Sequence, residues 1–422
     1  VRFGVPERSS SLRRTLGVWR VSVTGIGVIL GAGVYALLGP AAARAGNALW
    51  LAFVLAGLTA GLTAYSYARF ARLRPKDSPE FQYTAMAFGP TPGFVAGWLM
   101  LAADLLAAAT VAVGFGGYLT HLAGTPATLN AIMLLGMTII VLYSGIAGSV
   151  ALAIVLTVVE AAGLVFVIVV GLPFWPAGDY LEMPRGLSGV GSAAALIFFA
   201  YLGFDELGNF AEEMRHPERD LPRALFISLV ATTGIYLLVA VSSVAAVGWR
   251  DLSASDAPLA LVAGQALGAS ADTALSVVAL CATANTVLLL FLAASRSVYG
   301  IAAAGMLPGA LARVGRRTKI PVVATAAVVG VTAPVVMLGD LAGLAAMTDA
   351  AVLLSFAMVN VALLWLSVRG TIDRRLADLV FPAAAALLCL WLLTHTGWAA
   401  LGIAAGLTVL GLLVAGKGRP PA

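Results

Sequence analysis

Apolar runs of about 20 residues alternate with short polar stretches along the whole chain. They fall at 17–42, 47–70, 92–120, 128–145, 150–174, 188–213, 222–248, 271–303, 321–339, 343–367, 378–395 and 398–416. A helix rises about 1.5 Å per residue, so each run matches a hydrocarbon layer about 30 Å thick. The pattern predicts an all-α membrane protein with twelve transmembrane helices. The polar stretches, at 1–16, 73–91, 175–187, 214–222, 249–258 and 304–320, are loop-sized, so 1–422 is expected to form a single polytopic membrane domain. The first 20 residues hold five arginines and no apolar core, so no secretory signal peptide is expected and the first helix is a permanent span.

Charge adds an orientation. Cytoplasmic loops hold the excess of Lys and Arg. With the N-terminus inside, 22 of the 25 Lys and Arg residues fall on the cytoplasmic side, and only Arg44, Arg185 and Arg250 fall outside. One helix more or fewer would scramble every later loop, so the asymmetry supports twelve crossings with both termini cytoplasmic. Only 11% of residues are charged against 61% hydrophobic, too little charge to cover a water-facing surface. The net charge of +5 follows from topology and calls for no nucleic-acid partner. Cys281 and Cys389 sit inside apolar runs, and His121, His216 and His395 lack neighbours at ligand spacing. No disulfide framework, metal site or cofactor is expected.

Two runs contain sequence that a continuous membrane helix tolerates poorly. The first carries Gly25, Gly27, Gly31 and Gly33, and the sixth carries Phe-Phe-Ala-Tyr-Leu-Gly-Phe-Asp-Glu-Leu-Gly at 198–208. Glycine weakens a helix, and paired acids within the bilayer are costly. The two runs are five spans apart, so they cross in opposite directions. Broken helices at matching positions of two halves point to an inverted repeat. The halves are 17–174 and 188–367, with 378–416 supplying two additional helices. Gly27 and Gly31 also form a Gly-xxx-Gly pair suited to close helix packing; the matched second break favours the site reading over packing.

A broken helix exposes N–H groups and a positive dipole end at one half, and free carbonyls at the other. An amino acid carries a carboxylate and an ammonium roughly 2.5 Å apart on the scale of bonded geometry. The N–H groups suit the first and the carbonyls the second. Gly31 and Gly33 would let a carboxylate approach because no Cβ intrudes.

At these residues the chain resembles the amino acid–polyamine–organocation family of permeases, most closely the bacterial relatives of the cationic amino acid transporters. The resemblance covers roughly 15–370. It is carried by Gly-Ile-Gly-Val-Ile-Leu-Gly-Ala-Gly-Val-Tyr at 25–35, Phe-Phe-Ala-Tyr-Leu-Gly-Phe-Asp at 198–205, Glu212-Glu213 and His-Pro-Glu-Arg-Asp-Leu-Pro at 216–222. Ala294-Ser295-Arg296 and Gly-Met-Leu-Pro at 305–308 continue it. The resemblance implies the LeuT-type fold of five plus five helices, with helices 1 and 6 broken, and alternating access around a central site. It implies that Ile29, Gly31, Ala32 and Gly33, with the carbonyls near Phe199, Ala200 and Leu202, meet the substrate. Many relatives carry Ser or Thr where this chain has Ala32, so the carboxylate is expected to rely on backbone N–H groups alone. Tyr201, Phe204, Asn285 and Thr286 are candidates to line the side-chain pocket. Some relatives place a coupling lysine midway along helix 5; the corresponding position is Glu160, of opposite charge. The lysine mechanism does not carry over; on its own chemistry Glu160 is expected to couple transport to a proton, the alternatives being an ionised carboxylate that binds sodium or a basic side chain, and a protonated one hydrogen-bonded between helices.

Four further acids lie in the runs. Asp104 faces either a cavity or a helix break, Asp205 and Glu206 are placed to cap the sixth-helix break, and Asp349 faces either the pocket or the membrane interface. Glu212 and Glu213 with Arg215, Arg219 and Arg223 form either an inner gate or a solvated loop. The expected function is secondary active transport of amino acids across the cytoplasmic membrane by proton symport, with the bilayer as surroundings and no obligatory protein partner. A polyamine or organic-amine carrier, or an exchanger without net ion coupling, is the alternative, and a transporter-like sensor a more distant one. No zinc-protease or Ser–His–acid pattern marks an enzyme, and no phosphate-binding loop marks a nucleotide-driven pump.

Overall fold

A computed structural model describes residues 16–73, 79–144, 146–208, 214–303, 305, 307–315, 320–373 and 375–417. Among these the secondary structure is helical, apart from one isolated bridge between Leu16 and Met214. In chain order the helices are α1 (Val18–Ile29), α2 (Gly33–Ala45), α3 (Leu49–Leu73), α4 (Pro79–Phe88), α5 (Pro90–Ala123), α6 (Ala127–Ser144), α7 (Ile146–Gly171) and α8 (Gly186–Ile197). They continue with α9 (Pro217–Ala254), α10 (Pro258–Leu267), α11 (Ala269–Ala303), α12 (Val322–Leu338), α13 (Leu341–Val368), α14 (Ala377–Thr394) and α15 (Trp398–Lys417).

Among the described residues, 10 helical stretches are long and apolar enough to cross a membrane. The longest, Gly33–Leu73, has 41 residues and contains α2, a short 3-10 turn and α3. Val18–Ile29, Pro258–Leu267 and Val322–Leu338 are shorter apolar helices. Large apolar side chains remain exposed along one face of α6, at Leu129, Met133, Met137 and Ile140, and along α7, at Ile154, Val155, Val158, Val165 and Val169. Such continuous apolar faces suit lipid rather than water.

The first apolar run is interrupted where glycine is dense: α1 stops at Ile29 and α2 begins at Gly33. In the sixth run α8 stops at Ile197, a 3-10 turn covers Phe198–Tyr201, and Gly203 adopts φ +105°. Two helices appear inside stretches expected to be loops. One is α4, whose mixed polar and aromatic composition hides it from an apolar count. The other is α10, just beyond the polar stretch 249–258. The seventh run was expected to end at Gly248; α9 continues to Ala254 through a kink at that residue, where φ is +74°.

Two packed groups frame the centre. In one, α2 and α3 both lie against α8 and α9, and α1 lies against α9. In the other, α5 packs on α6, α11 and α13, with α12 against α5, α6 and α11. α7 touches both α9 and α11, while α14 bridges α3 and α13. A buried ion pair pins α14. Arg69 Nε donates to the two Asp378 carboxylate oxygens at 3.0 and 3.2 Å, and Tyr65 donates its hydroxyl to Asp378 at 2.7 Å. Arg69 also donates to the Asp373 carbonyl at 2.8 Å. One turn away, Ser66 donates to Asn360 at 2.7 Å, and Asn360 donates to Thr63 at 3.1 Å. Polar side chains thus join α3 to α13 and α14 within otherwise apolar packing.

Removing one member of a buried ion pair strands the other charge. Asp378→Ala is expected to destabilise the protein by about 3–5 kcal/mol. Replacing both partners, Arg69→Met with Asp378→Leu, should restore most of that loss. Thermal unfolding of the purified protein in detergent checks both expectations.

Candidate functional site

The two breaks meet backbone to backbone. A Cβ on Gly33 would stand 2.6 Å from Ala200 Cα, closer than any side chain is tolerated. A Cβ on Gly203 would stand 2.8 Å from Val28 Cγ1 and 3.2 Å from the Val28 carbonyl oxygen. Each break therefore needs a glycine where the other presses against it. This differs from the sequence expectation for Gly33: the space left by its missing Cβ is occupied by Ala200. Gly31 is less crowded, and its nearest neighbour across the break is Thr286 Oγ1, 3.1 Å from where a Cβ would lie.

Tyr236, on α9 and fully buried, clasps the crossing. Its hydroxyl lies 2.6 Å from the Ile29 carbonyl and 2.9 Å from the Ala200 carbonyl, and its single proton is donated to one while within reach of the other. Two of the carbonyls expected to serve an ammonium group are thus already engaged. Sequence reading missed Tyr236. The available signal was a phenol hydroxyl in mid-run, which must find a polar partner when buried. Two further tyrosines brace α2 from behind. Tyr35 donates to the Glu160 backbone carbonyl at 2.6 Å, and Tyr118 donates to the Tyr35 carbonyl at 3.0 Å.

A cavity of about 450 Å³ opens at this crossing. Its wall includes Ile29, Gly31, Ala32, Gly33, Phe199, Ala200 and Leu202, together with Glu160, Asn285 and Thr286. Tyr201 and Phe204 do not line it. Tyr201 turns toward α3 and donates to the Phe53 carbonyl at 2.9 Å. Phe204 packs on Phe356 and Tyr67, with ring centroids 5.3 and 5.7 Å apart. Tyr201 ends the 3-10 turn, whose three residues per turn point it about 120° away from its neighbour Ala200.

Glu160 is 1% exposed. One carboxylate oxygen lies 3.5 Å from Asn285 Nδ2, which also donates to Thr157 at 2.9 Å. The other Glu160 oxygen and the Asn285 side-chain oxygen have no hydrogen-bond partner among the described residues. Asp205 caps the second break as expected, accepting from the Gly203 N–H at 3.1 Å. Asp349, on α13, is completely buried within the protein. Glu212 and Glu213 lie outside the described residues. Among the described residues no group of His, Cys, Asp and Glu is arranged to hold a metal ion, and both cysteines are free.

A second cavity, about 600 Å³, adjoins the first and shares Met100, Asp104, Asp205, Glu206, Ala293 and Arg296 with it. It extends past Glu80 and Gln82 of α4 to Gly300 and Ile301 near the end of α11. Hydrogen bonds join the elements at the other end of the crossing. Arg44 donates to the Ser192 carbonyl at 3.0 Å, and the Asn47 N–H donates to the Glu182 carbonyl at 2.9 Å. Arg250 pairs with the Glu182 carboxylate at 2.7 Å, and Trp50 donates to the Tyr180 carbonyl at 3.0 Å.

Two interrupted helices thus cross at a central cavity among long apolar helices. The chain belongs to the amino acid permease family, whose sequence model matches residues 16–414. It is similar to the branched-chain amino acid permease BcaP of Bacillus subtilis, 29% identical over 421 residues, covering 92% of this chain and 89% of that one. An uncharacterized transporter of Mycobacterium tuberculosis is 32% identical over 418 residues, covering 96% of this chain and 91% of its own. The vacuolar cationic amino acid transporter 2 of Arabidopsis thaliana is 29% identical over 379 residues, covering 84% of this chain and 60% of that longer protein. The chain is thus a multi-pass membrane transporter of amino acid permease type, not an enzyme.

Tyr236→Phe removes the hydroxyl from two buried carbonyls, at an expected cost of about 1–3 kcal/mol. The protein should still fold, with a lower unfolding temperature and a transport rate reduced by about tenfold, measured in proteoliposomes. Glu80, on the short helix α4, accepts from the Tyr67 hydroxyl at 2.6 Å. Burial pushes its carboxyl from 4.5 up to about 7, with the Tyr67 hydrogen bond acting in the opposite direction. Because the folded value is raised, the stability that Glu80 contributes is fully present below 4.5 and is lost as pH rises through about 7. Glu80→Gln should flatten the pH dependence of the unfolding temperature across that window. An unchanged slope would rule out Glu80 as its source.

Proposed function

We propose that the chain is a secondary active transporter that carries amino acids across the cell membrane by alternating access, with a proton as the coupling ion. It crosses the membrane twelve times. Gly33–Leu73 folds back at Gly46–Ala48 and supplies two crossings, and Val322–Leu338 adds another to the long apolar helices. The charge asymmetry supports cytoplasmic termini. Residues 17–174 and 188–367 form the two inverted halves of a LeuT-type fold, and 378–416 the additional pair.

The observation that carries this reading is the single cavity at which both helix breaks converge. The first N–H groups of α2 have no partner within their own helix, and they suit the substrate carboxylate. The turn at Phe199–Leu202 offers carbonyls to the ammonium. Carbonyl oxygens have two lone pairs, so Ile29 and Ala200 can accept from substrate while keeping Tyr236. The adjoining second cavity serves as the cytoplasmic route, and the hydrogen-bonded layer around Arg44, Asn47 and Glu182 as the closed outer side.

Glu160 supports proton coupling. Its free oxygen and that of Asn285 are two buried acceptors lacking a donor, and a proton on Glu160 supplies one. An organic-amine carrier is the second reading, favoured by Asp104, Asp205 and Glu206 in the wall.

Uptake of labelled amino acids and polyamines into proteoliposomes, with and without an imposed pH gradient, tests both readings. Accumulation of an amino acid driven by the pH gradient is expected. Glu160→Gln should abolish that accumulation and leave amino acid exchange intact. Gradient-driven uptake that survives the substitution would remove Glu160 from the mechanism, and uptake of polyamines alone would establish the amine carrier.

A further inference from the structure

The break in the first helix lacks a hydroxyl of its own, because Ala32 stands at its centre. The structure supplies one from across the cavity. Thr286 Oγ1, on α11, accepts from the Ala32 N–H at 3.0 Å. The same oxygen is the nearest group facing Gly31, 3.1 Å from where a Cβ would lie, and Thr286 lines the central cavity. Gly31 and Thr286 are therefore matched: a side chain at 31 would press on the hydroxyl.

The Thr286 proton has a replaceable partner. It is donated to the Ala282 carbonyl at 3.1 Å, four residues earlier on the same helix. That carbonyl is also the acceptor for the regular helical N–H of Thr286, so losing the hydroxyl bond leaves it partnered. The hydroxyl can turn its proton into the cavity while its oxygen still accepts from Ala32. Accepting from one donor polarises the O–H and strengthens it as a donor to the next group.

We propose that Thr286 is a substrate-binding and specificity-determining residue: its hydroxyl, anchored by the Ala32 N–H, donates to the substrate carboxylate at the first-helix break. This rests on the reading that the substrate is an amino acid whose carboxylate meets residues 31–33. It replaces the expectation that backbone N–H groups act there alone. The hydroxyl also selects for an acceptor, since a ligand without a carboxylate would forfeit this bond.

The experiment compares wild type, Thr286→Val, Thr286→Ser and the double variant Ala32→Ser with Thr286→Val as full-length protein in proteoliposomes. The probe is whichever labelled amino acid among the twenty standard ones wild type transports best. Thr286→Val is expected to raise KM by about tenfold or more with little change in kcat, the size of one lost hydrogen bond to a charged group. Thr286→Ser should keep the wild-type KM, and the double variant should recover most of the loss by supplying a hydroxyl from position 32. An unchanged or lowered KM in Thr286→Val overturns the proposal, as does a fall in kcat alone or a KM defect that Thr286→Ser shares. Hydrogen exchange of the Ala32 amide, read by NMR without substrate, provides an arm independent of transport. Exchange should quicken in Thr286→Val and stay slow in Thr286→Ser; equal rates overturn the anchoring. If wild type transports none of the amino acids, the functional reading fails and the substrate role falls with it, while the exchange arm still decides the anchor.

Discussion

Everything at the centre of this protein depends on two interrupted helices crossing where a glycine on each leaves room for the other. Gly33 against Ala200 and Gly203 against Val28 bring the interrupted helices into direct contact. Neither contact survives an added Cβ without movement of main chain or neighbouring side chain. The contact leaves peptide groups without helical partners in an apolar interior, and such groups cost free energy unless they are hydrogen-bonded. Tyr236 meets part of that need from α9, Asp205 caps the second break, and Thr286 takes the Ala32 N–H from α11. In the proposed function a small zwitterion binds here, bringing its own donors and acceptors to the breaks.

The polar residues around this crossing divide by task. Arg69, Tyr65 and Asp378 form one hydrogen-bonded cluster and Ser66, Thr63 and Asn360 another, tying α3 to α14 and to α13 away from the cavity. Glu160 and Asn285 are the opposite case, each holding one oxygen without a donor at the cavity wall. A satisfied network stiffens a frame; an incomplete one responds to a ligand or a proton. Glu182, Asn47, Arg44 and Arg250 join elements at one end of the crossing, while Asp104, Asp205, Glu206 and Arg296 border both the central cavity and the adjoining one.

Much of the helical pattern was legible because its signal is local. Runs of apolar residues mark helices wherever they lie, and the glycine-rich 25–33 and the acids at 205–206 mark the two interruptions. Where the signal mixed, reading failed. α4 carries too many polar residues to register as an apolar run, and Gly248 looked like an end although it is a kink. Seven backbone positions expected at the site do line the cavity, since a break in a helix is itself a property of the local chain. Side-chain direction was less accessible. Tyr201 and Phe204 neighbour the break in sequence yet face α3 and α13, because the buried Phe53 carbonyl takes the Tyr201 hydroxyl and the Phe356 ring packs against Phe204.

The sequence by itself determined where helices could form, where two of them had to fail, and how charge is distributed between the ends. Those properties arise from residues within one or two turns of each other. Only the tertiary structure decided what satisfies each break. Tyr236 is more than 200 positions from Ile29, and Thr286 is 254 from Ala32. No local rule connects such pairs. They are chosen by helix packing, which places a hydroxyl beside a peptide group only after the whole bundle has closed.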